Sequence, residues 1–198
     1  MRRLKLISLS LLPLAALLFA QAHCPQPGCA ITPAKRALVR LKNRDAPPKE
    51  EDFDRRVTLA ALLQSGEDRA RWPALKAATI EGYVVAVGDG AIEAANCFSL
   101  TRRDTHIDVA LRPDAPPRER MVLEVTPRLR EWARQQGLDW STLALKRELT
   151  GHWCSFEGWL LFDTEHAEES ENIAPGRKGN WRATSWELHP VTRLRVVR

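Results

Sequence analysis

Three of the five histidines stand two or three residues from a carboxylate. His106 lies in Asp104-Thr105-His106-Ile107-Asp108, His166 in Asp163-Thr164-Glu165-His166, and His189 in Glu187-Leu188-His189. On a strand, residues i and i+2 share a face, so Asp104, His106 and Asp108 point together, as do Glu187 and His189. An imidazole beside an acid is what general-base catalysis and metal ligation both require, because the acid fixes the tautomer and raises the basicity of the ring. If the three pairs converge, they form a site for a divalent metal or for proton transfer. If they stay apart, they are hydrogen bonds that tie strands together. The sequence leaves these readings open, and no other cofactor is expected.

Seven tryptophans offer a second kind of chemistry. Aromatic side chains on a barrel surface stack bases or sugars. Trp181, behind Gly179-Asn180 and beside Arg182, is the candidate stacking residue. The chain has no Gly-x-Ser-x-Gly, no Gly-x-x-x-x-Gly-Lys and no His-Glu-x-x-His. That pattern of absences lowers the odds for the common serine hydrolases, P-loop enzymes and zinc peptidases.

The elements that must position these groups alternate with a period of two on both sides of a helical interlude. Thr79 to Val87 is rich in β-branched residues and runs to the turn signal Gly88-Asp89-Gly90, after which Ala91 to Cys97 reads as a returning strand. In Thr105 to Leu111, Ile107, Val109 and Leu111 face one way, and His106, Asp108 and Ala110 the other. Met121 to Thr126 is a further strand. Pro127 then suits a first helical position, and Arg128–Gln136 and Ser141–Leu149 read as helices. Trp153 to Asp163 returns to strand, Thr164 to Asn180 is a polar loop, and Ala183–His189 and Thr192–Val197 are strand segments on either side of Pro190. Strands bunched around one helical insert predict a mainly β fold: an oligomer-binding (OB)-like five-stranded barrel with helices between strands 3 and 4. Residues 73–198 form that domain. Residues 57–72 form a short helix and turn before it, and residues 23–56 are a Pro-rich, charged, extended arm.

Residues 1–22 read as a secretory signal, with Arg2, Arg3 and Lys5 ahead of an apolar run and Ala20-Gln21-Ala22 at the cleavage site. The apolar run is too short for a comfortable bilayer span, so no stable membrane insertion is expected after cleavage. The reading places the protein in the periplasm or outside the cell. The 198-residue chain carries 30 basic and 25 acidic residues, a formal charge of +5. From residue 73 onward there are 17 basic and 18 acidic residues, so the positive excess belongs to the leader and the arm. In an oxidising compartment the four cysteines are expected to pair. Of three possible connectivities, Cys24–Cys29 with Cys97–Cys154 is favoured, since Pro25-Gln26-Pro27-Gly28 turns tightly.

The segments Glu81-Gly82-Tyr83-Val84-Val85, Glu93-Ala94-Ala95-Asn96-Cys97, Asp104-Thr105-His106-Ile107, Leu123-Glu124-Val125-Thr126-Pro127-Arg128, Gly158-Trp159-Leu160-Leu161-Phe162-Asp163 and Trp181-Arg182-Ala183-Thr184-Ser185-Trp186-Glu187-Leu188-His189-Pro190-Val191-Thr192 resemble a group of uncharacterised exported bacterial OB-fold-like proteins. Their C-terminal signature is Trp-Glu-Ile/Leu-His-Pro-Val. The resemblance spans residues 57–194. It implies the barrel and a relation to OB modules attached to secreted nucleases, and it carries over no catalytic residue. The expected function is an exported binding module for an oligomeric ligand, a nucleic acid or an oligosaccharide, or for a partner protein. The alternative is a metal-assisted hydrolase, acting on phosphodiesters, built from the His/carboxylate pairs.

Overall fold

The computed structural model describes residues 24–198, so the expected secretory signal lies outside the described residues. Five strands, β1 (Ala77–Asp89), β2 (Thr105–Ala110), β3 (Met121–Val125), β4 (Trp153–Phe162) and β5 (Trp186–Val196), close into a barrel in the order β1-β2-β3-β5-β4. All neighbours are antiparallel except β3 and β5, which run parallel through Val122–Glu187 and Leu123–Leu188. Closure leaves no open sheet edge. This is the mainly β, OB-like arrangement that the alternation predicts.

Period-two alternation sorts the side chains. Ile80, Val84, Ile107, Val109, Leu123, Val125, Phe156, Leu160 and Leu188 fill the barrel core. Leu111, expected on that face, falls beyond the end of β2 and is about half exposed. The insert between β3 and β4 forms two helices, α3 (Pro127–Gln135) and α4 (Thr142–Leu149). Thr126 and Ser141 cap them by accepting the Leu129 and Ala144 amides. Leu129, Ala133, Leu145 and Leu149 add to the same core.

Four expectations require correction. The arm is not extended: Thr32 caps a helix, α1 (Pro33–Lys42), whose C-terminal turn lies against β5 and against the turn Ala94–Asn96. The Pro at the first helical position starts that helix, and its apolar side (Val39) buries. A second short helix, α2 (Leu59–Leu62), follows. The second strand expected over residues 91–97 is instead a 3-10 turn, Ala94–Asn96, because β1 runs on through Asp89 without a hairpin. The two C-terminal strand segments are one strand. Pro190 is accommodated where the β4–β5 register shifts near Gly158, a place at which a ladder donor is dispensable.

The fourth correction concerns the cysteines. The disulfide joins Cys24 to Cys97, and Cys29 (exposed) and Cys154 (buried) are free. Gly28 explains why Cys29 turns away. Its φ is +59°, and a Cβ there would sit 2.1 Å from the Ala94 carbonyl oxygen, so the arm's backbone docks directly on the 94–96 turn. Asn43 Nδ2 completes the seam by donating to Gln26 O and Ala95 O, 2.9 Å each.

A candidate functional site on the outer wall of the barrel

The residues that alternate away from the core on β2, β3 and β5 form a polar wall. His106 stands opposite Glu124 in the β2–β3 register, and the parallel β3–β5 pairing brings Glu187 and His189 alongside. Asp104, two residues before His106, shares its face. Such a wall is ordinarily wet, yet here it is covered. Helix α1, the 94–96 turn and the segment from Asp163 to Ser185 close over it, leaving Asp104, Glu187 and His189 at most 1% exposed.

His189 is the hub. Its Nδ1 is hydrogen-bonded to Glu187 Oε2 at 3.1 Å and lies 3.4 Å from Glu124 Oε2. Its Nε2 faces Asp104 Oδ2 at 3.9 Å. His106 approaches from the rim: Nδ1 lies 3.5 Å from Glu124 Oε1, and Nε2 is 3.1 Å from Asp108 Oδ1. Asp108 also accepts from Arg120 at 3.2 Å. Two of the three expected pairs therefore meet, with Glu124 shared between their imidazoles. The third separates. Asp163 turns inward to Lys42 Nζ at 2.9 Å, whereas His166 lies outside, bonded to Glu169 at 2.8 Å. Trp181 links the two levels, its ring centroid 5.6 Å from that of His106 and 5.4 Å from that of His166. It is half-buried, its Nε1 donates to Glu169 Oε2, and the Arg182 guanidinium packs on it at 4.9 Å. The ring therefore already carries internal partners.

Four members of the cluster escaped the sequence reading. Lys42 reaches in from the last turn of α1 to Asp163 and to Glu93, at 3.0 Å. Arg182, fully buried, donates to Glu187 Oε1 at 2.6 Å and to Thr184 O at 2.9 Å. Glu124 carried a signal: an acid inside the apolar strand Met121–Val125 must be paired if it buries. Arg182, flanked by Trp181 and Ala183, carried a similar one. Lys42 and Glu93 carried none, since they come from segments read as an exposed arm and a returning strand.

Burial would neutralise these groups if they stood alone; together they hold one another charged. Burial pulls Lys42 down, but Asp163 and Glu93 outweigh it and keep the ammonium well above its ordinary range. Burial pushes Glu187 up, and Arg182 with His189 more than reverses this, holding it far below the usual carboxylate range. His189 is raised to about 9: burial opposes its charge, and Glu124, Glu187 and Asp104 overcome that. His106 is raised to about 10, burial again losing to Asp108 and Glu124. Asp104 and Glu93 are the exceptions. Burial raises Glu93 above its ordinary value, and burial with the neighbouring Glu124 pushes Asp104 up to about 7.

Unpaired atoms of both kinds gather here, since Asn96 Nδ2, beside Asp104, is a buried donor without a partner. Both Asp104 carboxylate oxygens, Glu124 Oε2 and His189 Nε2 are buried without a hydrogen-bond partner. One donor atom each from Asp104, Glu124 and His189 lies within 4.8 Å of the others, so this buried group is able to hold a metal ion.

A second feature lies at the helical insert. An open cleft of about 980 Å³ is lined by Arg102, Arg128, Arg130, Arg134, Trp132 and Trp140, with Asp45, Glu131 and Asp139 also on its wall. Arg130 is anchored to Thr105 Oγ1 at 2.8 Å, and Arg134 to Glu131 at 2.7 Å. Trp132 and Trp140 pack at 6.0 Å, with Trp132 over one-third exposed.

No protein-family model matches the chain, and neither the curated proteins nor the solved structures contain a significant match. No helix among the described residues is long and apolar enough to cross a membrane.

Proposed function

We propose that this chain is an exported binding module that takes an anionic oligomer, a nucleic acid or an acidic oligosaccharide, in the cleft beside α3. The observation that carries this reading is the convergence of four arginines and two tryptophans on one open cleft. Guanidinium groups pair with phosphate or carboxylate in a planar, bidentate fashion, and the exposed Trp132 ring, backed by the buried Trp140, adds sequence-tolerant stacking. The barrel supplies a rigid support, and Arg130 is already oriented by hydrogen bonds to Thr105 and Thr142. Export is supported by the leader-like residues 1–22 and, weakly, by the Cys24–Cys97 disulfide.

The test is titration of the tryptophan fluorescence with single-stranded oligonucleotides and with a sulfated oligosaccharide, for the wild type and for Arg102→Ala. Saturable quenching that weakens with salt and falls several-fold in the variant supports the reading. Removal of one backbone contact lowers the slope of log K against log salt by about 1. A flat titration for both ligands, with a protein partner recovered at the cleft instead, replaces it.

A second reading, a metal-assisted hydrolase acting on phosphodiesters, is favoured by the Asp104–Glu124–His189 group. Those residues are at most 6% exposed, which leaves a phosphodiester no route to them without displacement of the covering segments. Release of nitrophenol from a bis-nitrophenyl phosphate, dependent on added Mn²⁺ or Zn²⁺ and absent in His189→Ala, supports this second reading.

A further inference from the structure

The geometry points to a resident divalent transition-metal centre at Asp104, Glu124 and His189, which clamps β2, β3 and β5 together from outside the barrel. This inference does not rest on the cleft or on catalysis.

Unpaired polar atoms gather at this place in the interior. Buried polar atoms are almost always hydrogen-bonded, and each one left bare costs roughly 1–3 kcal/mol. Here both Asp104 oxygens, Glu124 Oε2 and His189 Nε2 are bare at the same place. A shared proton does not repair this. The 3.9 Å between His189 Nε2 and Asp104 Oδ2 exceeds hydrogen-bond reach. Two bonds of about 2.1 Å to one ion, by contrast, put their donor atoms roughly 3–4 Å apart. The separation is wrong for a hydrogen bond and right for two ligands of one ion. The three donor atoms lie within 4.8 Å of one another, so ligation draws the widest pair together by about 1–2 Å.

Further charged groups stand behind these side chains. Glu187 Oε2 takes the Nδ1 side of His189, so an ion that displaced the other ring proton would meet Nε2, which faces Asp104. Glu187 is itself held by Arg182 at 2.6 Å. A carboxylate behind a ligating imidazole, anchored in turn by a further group, is the arrangement that fixes tautomer and ring orientation in metal sites. His106 approaches Glu124 Oε1 from the rim and leaves Oε2 as the inward atom, 3.4 Å from His189 Nδ1, so ligation beside Nε2 requires the Glu124 carboxylate to swing across the ring. Lys42 lies close by, but its charge is matched by Asp163 and Glu93, so it does not compete for Asp104.

The donor set is one imidazole nitrogen and two carboxylates. It suits Zn²⁺, Mn²⁺ or Fe²⁺ rather than Ca²⁺, which takes six or more oxygens, or Mg²⁺, which keeps most of its waters.

The experiment uses the untagged full-length chain, stripped with chelator and dialysed, then titrated with Zn²⁺ and with Mn²⁺. One ion per chain is expected. Tm should rise by roughly 5–10 °C at a hundredfold excess over Kd and fall back on adding chelator. Asp104→Asn, which keeps the shape of the side chain, should lose at least tenfold in affinity. X-ray absorption on the wild type loaded with Zn²⁺ should show a nitrogen/oxygen shell near 2.0–2.1 Å with a single imidazole. No uptake with an unchanged Tm overturns the inference. So does full affinity in a folded Asp104→Asn. If that variant does not fold, the absorption spectrum decides: a shell without imidazole, or with several, overturns the assignment to His189.

Discussion

Lys42 Nζ lies 2.9 Å from Asp163 Oδ2, and the two side chains are only 2% and 1% exposed. One comes from the N-terminal helix and the other from the segment that leaves β4. The pair is therefore both an electrostatic unit and a tether between the arm and the barrel. Burial opposes the Lys42 ammonium, and Asp163 with Glu93 outweighs it.

Replacing Lys42 by Met keeps the stem of the side chain and deletes the ammonium. Asp163, buried, and Glu93, partly buried, are then left without that counter-charge, and the unfolding free energy should drop by about 3–5 kcal/mol. Lys35→Met is the control. Its contact with Glu165, at 2.7 Å, is between side chains that are 40% and 33% exposed, so its loss should cost less than about 1 kcal/mol. Urea denaturation of both variants checks the contrast.

The Cys24–Cys97 bond closes a loop of 73 residues. Loop-closure entropy assigns such a cross-link up to about 4 kcal/mol. Cys97→Ser should lose a large part of that, and reductant should lower the stability of the wild type to a similar level while leaving the variant unchanged. A wild type insensitive to reductant would show that the seam at Gly28 and Asn43 holds the arm without the bond.

Gly158 is packed where β4 and β5 shift register. A Cβ there would lie 2.5 Å from Pro190 O and 3.0 Å from Val191 Cα. Both obstacles are backbone, which cannot swing aside as a side chain would. Gly158→Ala should therefore destabilise by at least the 1–3 kcal/mol typical of overpacking, read as a lower Tm. Gly88→Ala meets nothing within 4 Å and should be near neutral.

The free thiols should differ in reactivity. Cys29 is exposed, whereas burial pushes the Cys154 thiol up to about 11. At pH 8 the native protein should take up one equivalent of iodoacetamide, on Cys29, and a second only after unfolding. An acid raised by folding favours the native state less once the unfolded thiol ionises, so this group lowers stability as pH rises above about 9 and on toward 11.

Much of the barrel was legible because closure of a small sheet demands period-two alternation, and Ile107 and Val109 against His106 and Asp108 display it openly. The helical insert was legible from Pro127 and the capping Ser141. The site was half legible. His106 and His189 do meet, since local alternation puts them and their acids on one wall. Asp163 and His166 part because a turn, not a strand, joins them, and the i, i+2 rule has no force there. Lys42 was hidden because nothing local distinguishes a lysine that buries from the other bases of a charged arm. The disulfide was hidden for a related reason: turn chemistry at Pro25–Gly28 favoured a local bridge, whereas the docking of Gly28 on Ala94 is a long-range contact with no signature in spacing.

The docking of the arm also decides where this protein can be cut. A fragment beginning at residue 73 would keep all five strands, yet would expose a wall bearing Asp104, Glu124, Glu187 and Asp163 with its lysine gone and Cys97 unpaired. The smallest unit able to stand alone therefore begins near Cys24. Transplanting the barrel into another polypeptide would require carrying about fifty preceding residues with it.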